Sequence, residues 1–246
     1  MNPTENIDKD NLPQHIAVIM DGNGRWAKGK GAARIFGHKN AIEAVRQVTE
    51  GCAELGVKYL TLYAFSTENW ARPQKEVKGL MQLLVSTIKN EIGTLKKNNV
   101  RLNAIGDLKS LPGNCQNELA EAIDQTKGNK GLVLTLALSY SGRWEILEAV
   151  KKIAQEAKDG NLRIDEIDME VFRSNLMSGK IPDPELLIRT SGEMRVSNFL
   201  LWQLAYTEIY ITPKFWPDFR KKDLNEAISS YQRRERRFGQ ISEQVN

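Results

Sequence analysis

Apolar residues in this chain follow two alternating rhythms. His15–Met20 ("HIAVIM") is a short, nearly unbroken apolar run of strand length, and "YLTLYAF" (59–65) is a second. Between them Ile42, Val45, Val48, Cys52 and Leu55 recur every three or four residues, the period of a helix over about 41–55, with Gly56 as its stop. Val77, Leu80, Leu84, Ile88, Ile92 and Leu95 mark one face of a longer helix that ends at Asn98–Asn99. "VRLNAIG" (100–106), "LVLTLALSY" (132–140), "LLIRTSG" from Leu186 and "EIYIT" (208–212) read as further strands, with helices near 113–126, 143–157 and 222–236. Buried strands alternating with helices of this length imply right-handed crossovers and a parallel sheet covered on both faces. The pattern predicts an α/β fold of one domain, 15–240, between a flexible N-terminal segment, 1–14, and a tail, 241–246.

Composition narrows the function classes. A hydrophobic content of 41% over 246 residues is enough for a real core. The formal net charge of +4 suits anionic ligands but falls far short of a nucleic-acid binder, so no nucleic-acid partner is expected. Cys52 and Cys115 lie far apart without a CxxC partner, which argues against a disulfide framework or a zinc site. The polar start "MNPTENIDKDNLPQ" lacks the apolar stretch of a signal peptide, and no apolar run has membrane-spanning length, so a cytoplasmic location is expected.

Parallel α/β sheets bind ligands at the carboxyl ends of their strands. "DGNGR", "STENWAR" and "RTSGEMR" each follow a predicted strand, which would bring distant segments to one cleft. The loop "MDGNGRWAKGKG" (20–31) admits three readings. Gly24 to Lys30 fits most of a Walker A pattern, but Gly31 replaces the magnesium-ligating Ser or Thr. Gly22-Asn-Gly24-Arg-Trp-Ala27 fits GxGxxA, yet the second strand ends in Phe65-Ser66 rather than the ribose-binding acid of a nucleotide-dependent oxidoreductase. In the third reading, loop N–H groups and Arg25, Lys28, Lys30 and Arg34 hold a diphosphate, while Asp21 reaches it through a divalent cation. The plain alternative makes Asp21 a helix N-cap and the basic residues solvated.

The company this loop keeps separates these readings. "HIAVIMDGNGRWA", Gly37-His38, "YLTLYAFSTENWARP", "PDPELLIRTSGEMRVSNFLLWQLAYTEIY", "WPDF" and "RRERRFG" follow one another in order from near residue 15 to near 239. In these blocks the sequence closely resembles the cis-prenyltransferase family. The resemblance implies six parallel strands surrounded by helices, in a homodimer. It also implies a Mg²⁺-dependent enzyme that joins isopentenyl diphosphate repeatedly to an allylic diphosphate, usually farnesyl diphosphate. The bacterial product it implies is undecaprenyl diphosphate, precursor of the lipid carrier for cell-wall sugars, made at the membrane face by peripheral contact. A non-catalytic prenyltransferase subunit is the rival within the family; such chains typically lose the loop Asp, which is present here.

Residue by residue, the resemblance makes Asp21 the essential carboxylate, with Gly22, Asn23, Gly24, Arg25, Arg34 and His38 around the allylic diphosphate. Arg189, Arg195, Val196 and Ser197 match the isopentenyl diphosphate site, and Glu208 joins Asp21 as a magnesium ligand. Ser66, Thr67, Glu68, Asn69, Trp70 and Arg72 match the catalytic loop. Asn69 is the residue often given the proton; a neutral amide is a very weak base, and a released diphosphate oxygen oriented by Asn69 is better chemistry. Trp26 and Trp70 either shield the substrate or pack as core aromatics. Arg237 and Gly239 match an Arg-x-Gly that reaches the neighbouring subunit's diphosphate. The growing chain is expected in an apolar tunnel along the Val77–Leu95 helix. Met194, Ser139 and Ser141 depart from residues common in the family.

Overall fold

Strand β1 (His15–Ile19) is apolar along its whole length because it is covered on both faces, with Ile16, Ala17 and Val18 fully buried. Burying each such Ile or Val stabilises the fold by about 1.5–3 kcal/mol. Five more strands join it: β2 (Tyr59–Ser66), β3 (Arg101–Ile105), β4 (Val133–Tyr140), β5 (Leu186–Arg189) and β6 (Glu208–Ile211). All pair in parallel, in the order β3-β4-β2-β1-β5-β6. The computed structural model describes residues 7–237 and 241, and over them the chain is one α/β domain on a six-stranded sheet.

Side chains leave β1 on alternate faces. Ile16 and Val18 enter the larger core, shared with Leu60, Leu62, Leu186 and Ile188, while Ala17 and Ile19 face Tyr140, Leu187 and Phe199 on the other side. Helices α2 (Arg34–Leu55), α3 (Gln74–Lys97), α4 (Gly113–Thr126) and α7 (Lys221–Gln232) contribute to the first core. The remaining helices are α1 (Asn23–Gly29), α5 (Gly142–Lys158) and α6 (Met169–Asn175). Among the described residues, no helix is long and apolar enough to cross a membrane. From β1 the chain moves to β2 on one side, and from β5 to β6 on the other, so the crevice between the tips of β1 and β5 is the topological switch point.

The structure corrects several boundaries. Helix α2 begins at Arg34, seven residues before the expected start, because α1 rather than an apolar stripe covers its first turns. Gly37 makes that approach possible: a Cβ there would lie 1.9 Å from the Asn23 carbonyl oxygen. Helices α1 and α6, seven residues each, are too short to show a period. Helix α7 stops at Gln232 instead of near 236, since Arg234 and Arg236 turn away to pair with Glu208 at 2.6 Å and Glu185 at 2.7 Å. Residues 7–14, expected to be flexible, are tied down. Gln232 Nε2 donates to the carbonyls of Asp8 and Asn11 at 2.6 and 2.9 Å, and the Gln14 N–H donates to Glu185. Positions 1–6 and 242–246 of the expected terminal segments lie outside the described residues.

His15 closes the amino edge of the sheet. Its ring nitrogens lie 2.6 Å from the Pro182 carbonyl oxygen and 2.8 Å from Thr61 Oγ1. Burial pushes its pKa down from 6.5 to about 4, against a smaller upward pull from the Pro182 hydrogen bond. Between those values the unfolded chain binds a proton that the folded chain does not, so stability is full above pH 6.5 and declines as pH falls towards 4. We expect this group to remove about 2 kcal/mol of stability by pH 4.5. Urea unfolding of the wild type and His15→Gln at pH 7 and 4.5 checks this; an equal pH dependence in both proteins counts against it.

Candidate active site at the tips of the first and fifth strands

Asp21 lies two residues beyond β1, and Arg189 is the last residue of β5. Arg189 Nη2 donates to Asp21 Oδ2 at 2.9 Å and Nη1 donates to Ser197 Oγ at 2.8 Å and to the Arg195 carbonyl oxygen. Thr190 extends the pairing of the strands, its hydroxyl accepting from the Asp21 N–H at 2.9 Å and donating to the Asp21 carbonyl at 2.7 Å. Burial pushes the Asp21 carboxyl up, but hydrogen bonds from Arg189 and the Gly22 N–H, with Arg25 nearby, hold it below the usual carboxylate range. Asp21 is not a helix N-cap. Gly22 takes that place at a φ of 100°, where a Cβ would lie 2.6 Å from Phe215 Cδ1, so only glycine fits the turn.

Two pockets meet at this point, and Met20, Asp21, Tyr63, Asn69 and Arg72 line both. The first encloses about 340 Å³, within the usual range for small-ligand sites. Its polar head holds Gly22, Asn23, Gly24, Arg25, Arg34 and His38. Its long apolar body runs between α2 and α3, past Ile42, Val45, Leu84 and Ile88, to Leu102 and Leu134 of the sheet. The second pocket is lined mostly by polar residues, among them Ser66, Glu68, Arg189, Arg195, Ser197 and Asn198. The arginines are paired with acids: Arg25 contacts Glu193 at 2.8 Å, Arg195 pairs with the same Glu193, and Arg72 pairs with Glu76 at 3.1 Å. An incoming polyanion would exchange these partners rather than meet bare charge. His38 is neutral at ordinary pH, since burial and then Arg72 push its pKa down to about 4.

The loop after β2 is held by its own side chains. Asn69 Oδ1 accepts from the Ser66 N–H at 3.2 Å, which leaves its amide N–H groups, donors, for a ligand. Trp70 Nε1 donates to Ser139 Oγ at 2.9 Å and its ring packs edge-on against Phe65, so Trp70 anchors the loop from behind. Ser139 stands at a φ of 48°, a conformation uncommon for residues other than Gly, Asn and Asp.

Pattern reasoning missed Asn198. Its carbonyl and Oδ1 accept from the first N–H groups of α5, Gly142 at 2.6 Å and Arg143 at 2.9 Å, while its Nδ2 donates to Glu68 Oε1 at 2.8 Å. Burial pushes the Glu68 carboxyl up, but that bond and others hold it below the usual carboxylate range. One side chain thus joins the β2 loop to the Arg189–Ser197 loop, where Ser197, Asn198 and Leu200 all have positive φ. The only sequence signal was its place beside Ser197.

Other expected residues are not gathered here. Trp26 stacks on Phe36 at 5.8 Å and carries Lys30 above its ring, outside both pockets, as are Thr67 and Val196. Glu208 does not join Asp21 within one subunit: it pairs in register with Leu186 at the amino end of the sheet, the opposite edge from Asp21, and binds Arg234. Arg237 pairs with Glu235 at 2.8 Å. Gly239 lies outside the described residues. Among these residues no three His, Cys, Asp or Glu side chains form a metal cage. A divalent cation with few protein ligands still fits the head of the first pocket, which both Asp21 and Asn23 line and where Asn23 Oδ1 is a buried oxygen with no hydrogen-bond partner.

Comparison with known proteins agrees with this geometry. A family described as "Putative undecaprenyl diphosphate synthase" matches residues 19–239. The ditrans,polycis-undecaprenyl-diphosphate synthase ((2E,6E)-farnesyl-diphosphate specific) of Pasteurella multocida is 50% identical over 237 residues, 96% of this chain and 99% of that protein. The solved structure of lavandulyl diphosphate synthase from Lavandula x intermedia, in complex with dimethylallyl diphosphate, superposes with a TM-score of 0.91. It is 39% identical and covers 94% of this chain and 100% of its own. A probable undecaprenyl diphosphate synthase from Campylobacter jejuni gives a TM-score of 0.78 at 33% identity, covering 94% and 100%. From the glycine loop to the last arginines, the chain belongs to the undecaprenyl diphosphate synthase family of prenyltransferases.

Proposed function

We propose that this chain is a Mg²⁺-dependent cis-prenyltransferase that adds isopentenyl diphosphate repeatedly to farnesyl diphosphate and makes undecaprenyl diphosphate for cell-wall synthesis. One observation carries the reading: a pocket lined mostly by polar residues and a pocket with a polar head and an apolar body share the wall of Asp21, Asn69 and Arg72. That arrangement suits two diphosphates side by side with one hydrocarbon tail led away. The reading includes a homodimer, with Arg237 and Gly239 serving the neighbouring subunit, and a cytoplasmic location with peripheral contact at the inner membrane face.

In this mechanism Arg25, Arg34, Arg72 and neutral His38 hold the allylic diphosphate, and Gly22 lets the backbone approach it. Their charge is preorganised where negative charge grows as the allylic C–O bond breaks. Mg²⁺, which Asp21 would hold, would neutralise part of the same charge when bound. Arg189, Arg195 and Ser197 hold isopentenyl diphosphate so that its double bond faces the allylic carbon. The planar Arg forks bind phosphate oxygens in pairs, which fixes orientation. Asn69 is not the base in this mechanism, because a neutral amide is a very weak base; its Oδ1 accepts from the Ser66 N–H and its Nδ2 is left to donate. It donates instead to a diphosphate oxygen, and that oxygen is the base. The lengthening tail enters the apolar lumen between α2 and α3, where each buried isoprene unit offsets part of the cost of holding it.

Incubation with farnesyl diphosphate, labelled isopentenyl diphosphate and Mg²⁺, followed by sizing of the products, tests the reading; a folded enzyme that lengthens neither substrate ends it. Asp21→Asn is the sharper variant than Ala, since it keeps a partner for the buried Arg189. Its elongation rate is expected to fall on the order of 10³-fold with an unchanged circular dichroism spectrum. Wild-type turnover by that variant would sink the assignment. Asn198→Asp keeps the cap on α5 but sets a second carboxylate against Glu68. The KM for isopentenyl diphosphate should rise about tenfold, the worth of one hydrogen bond to a charged group, with little change for farnesyl diphosphate. Steady-state kinetics with each substrate varied in turn decides.

A further inference from the structure

The apolar lumen has one side wall that is not sheet. It is the seam between α2 and α3, and two ion pairs recorded among the described residues cross it. Arg34 and Glu76 approach to 3.7 Å at the polar head. Farther along, Arg46 Nη2 and Nε donate to the two oxygens of Glu91 at 2.6 and 3.3 Å, a forked pair. Both Arg46 and Glu91 line the lumen, where their neighbours Ile42, Val45, Leu84 and Ile88 are apolar.

Three further features distinguish this pair from an ordinary surface contact. Arg46 Nη1 also donates to Glu43 at 2.8 Å, one turn back on its own helix, so the guanidinium keeps a partner when Glu91 moves away. Glu91 lies two residues from Gly93, where an added Cβ would meet nothing within 4 Å. No packing demands that glycine, and it weakens α3 beside the pair. Finally, α3 packs far more extensively on α4 than on α2, which makes the α2 seam the yielding side.

We propose that the Arg46–Glu91 ion pair is the clasp of the lumen's side wall and a determinant of product length. The proposal rests on the elongation reading above. While the tail is short, the clasp holds α2 against α3. As units are added, the tail presses on a wall that the packing of α2 on α3 and this forked, partly exposed pair hold together, and salt screens the share of the pair. Elongation stops when the closed wall costs more than the next buried unit returns. A wall without the clasp yields, and the chain grows further.

The test compares the wild type with Arg46→Gln, Glu91→Gln and the double variant, sizing products from farnesyl diphosphate, labelled isopentenyl diphosphate and Mg²⁺ at low and high salt. Each single variant is expected to lengthen the main product by at least one isoprene unit. The double variant should match the singles rather than add to them, because all three break the same pair. High salt should lengthen the wild-type product and leave that of the double variant unchanged. Wild-type lengths in all three variants overturn the clasp, as do additive shifts. If the variants fail to fold, a salt-independent wild-type length overturns it alone. A wild type that makes no polyprenyl product would refute the elongation reading instead, and the two failures are thereby distinct.

Discussion

The bond between Asp21 and Arg189 holds the site together. Arg189 is almost completely buried at the end of β5, and a buried guanidinium without an anion costs several kcal/mol. The carboxylate that satisfies it stands on the neighbouring strand, 168 residues earlier in the chain. The contact requires β1 and β5 to be adjacent and parallel, and the crossovers that put them there create the crevice between their tips. Fold and site share one constraint: whatever separates these two tips exposes an unpaired charge and dismantles the cleft.

Around that bond, the molecule divides its labour by polarity. The arginine-rich cleft is suited to charge and the lumen between α2 and α3 to hydrocarbon, and they meet where Met20, Asp21, Tyr63, Asn69 and Arg72 stand. Reaction at the junction of two such environments requires loops from three strand tips to keep their spacing. Side chains with little direct chemistry do this: Thr190 extends the strand pairing, Trp70 pins one loop from behind, and Asn198 binds two loops to the start of α5. Acids such as Glu193 and Glu76 keep the arginines solvated in effect, ready to exchange partners for phosphate oxygens.

The edge residues tell the complementary story. Glu208, Arg234, Glu185 and Arg236 cluster at the amino end of the sheet, a full strand length from Asp21. A parallel strand can offer only one of its ends to the site, so register alone keeps Glu208 from Asp21 within one chain.

The sequence by itself determined the six strands, the principal helices and the identity of the chemistry-bearing loops. Each of these depends on a local signal: apolar runs for buried strands, a helical period for α2 and α3, and motif blocks as distinctive as "LTLYAFSTENWARP". It also placed Asp21, Arg189 and Asn69 at strand ends, because alternation of strand and helix fixes which ends share an edge. Tertiary structure alone decided the rest. The start of α2, the binding of residues 7–14, the linking role of Asn198 and the position of Glu208 all depend on partners far away in the chain. Periodicity reports the face a segment buries. It is blind to which distant side chain completes a hydrogen bond or to which end of a strand faces the cleft, since those follow from strand order and register in three dimensions.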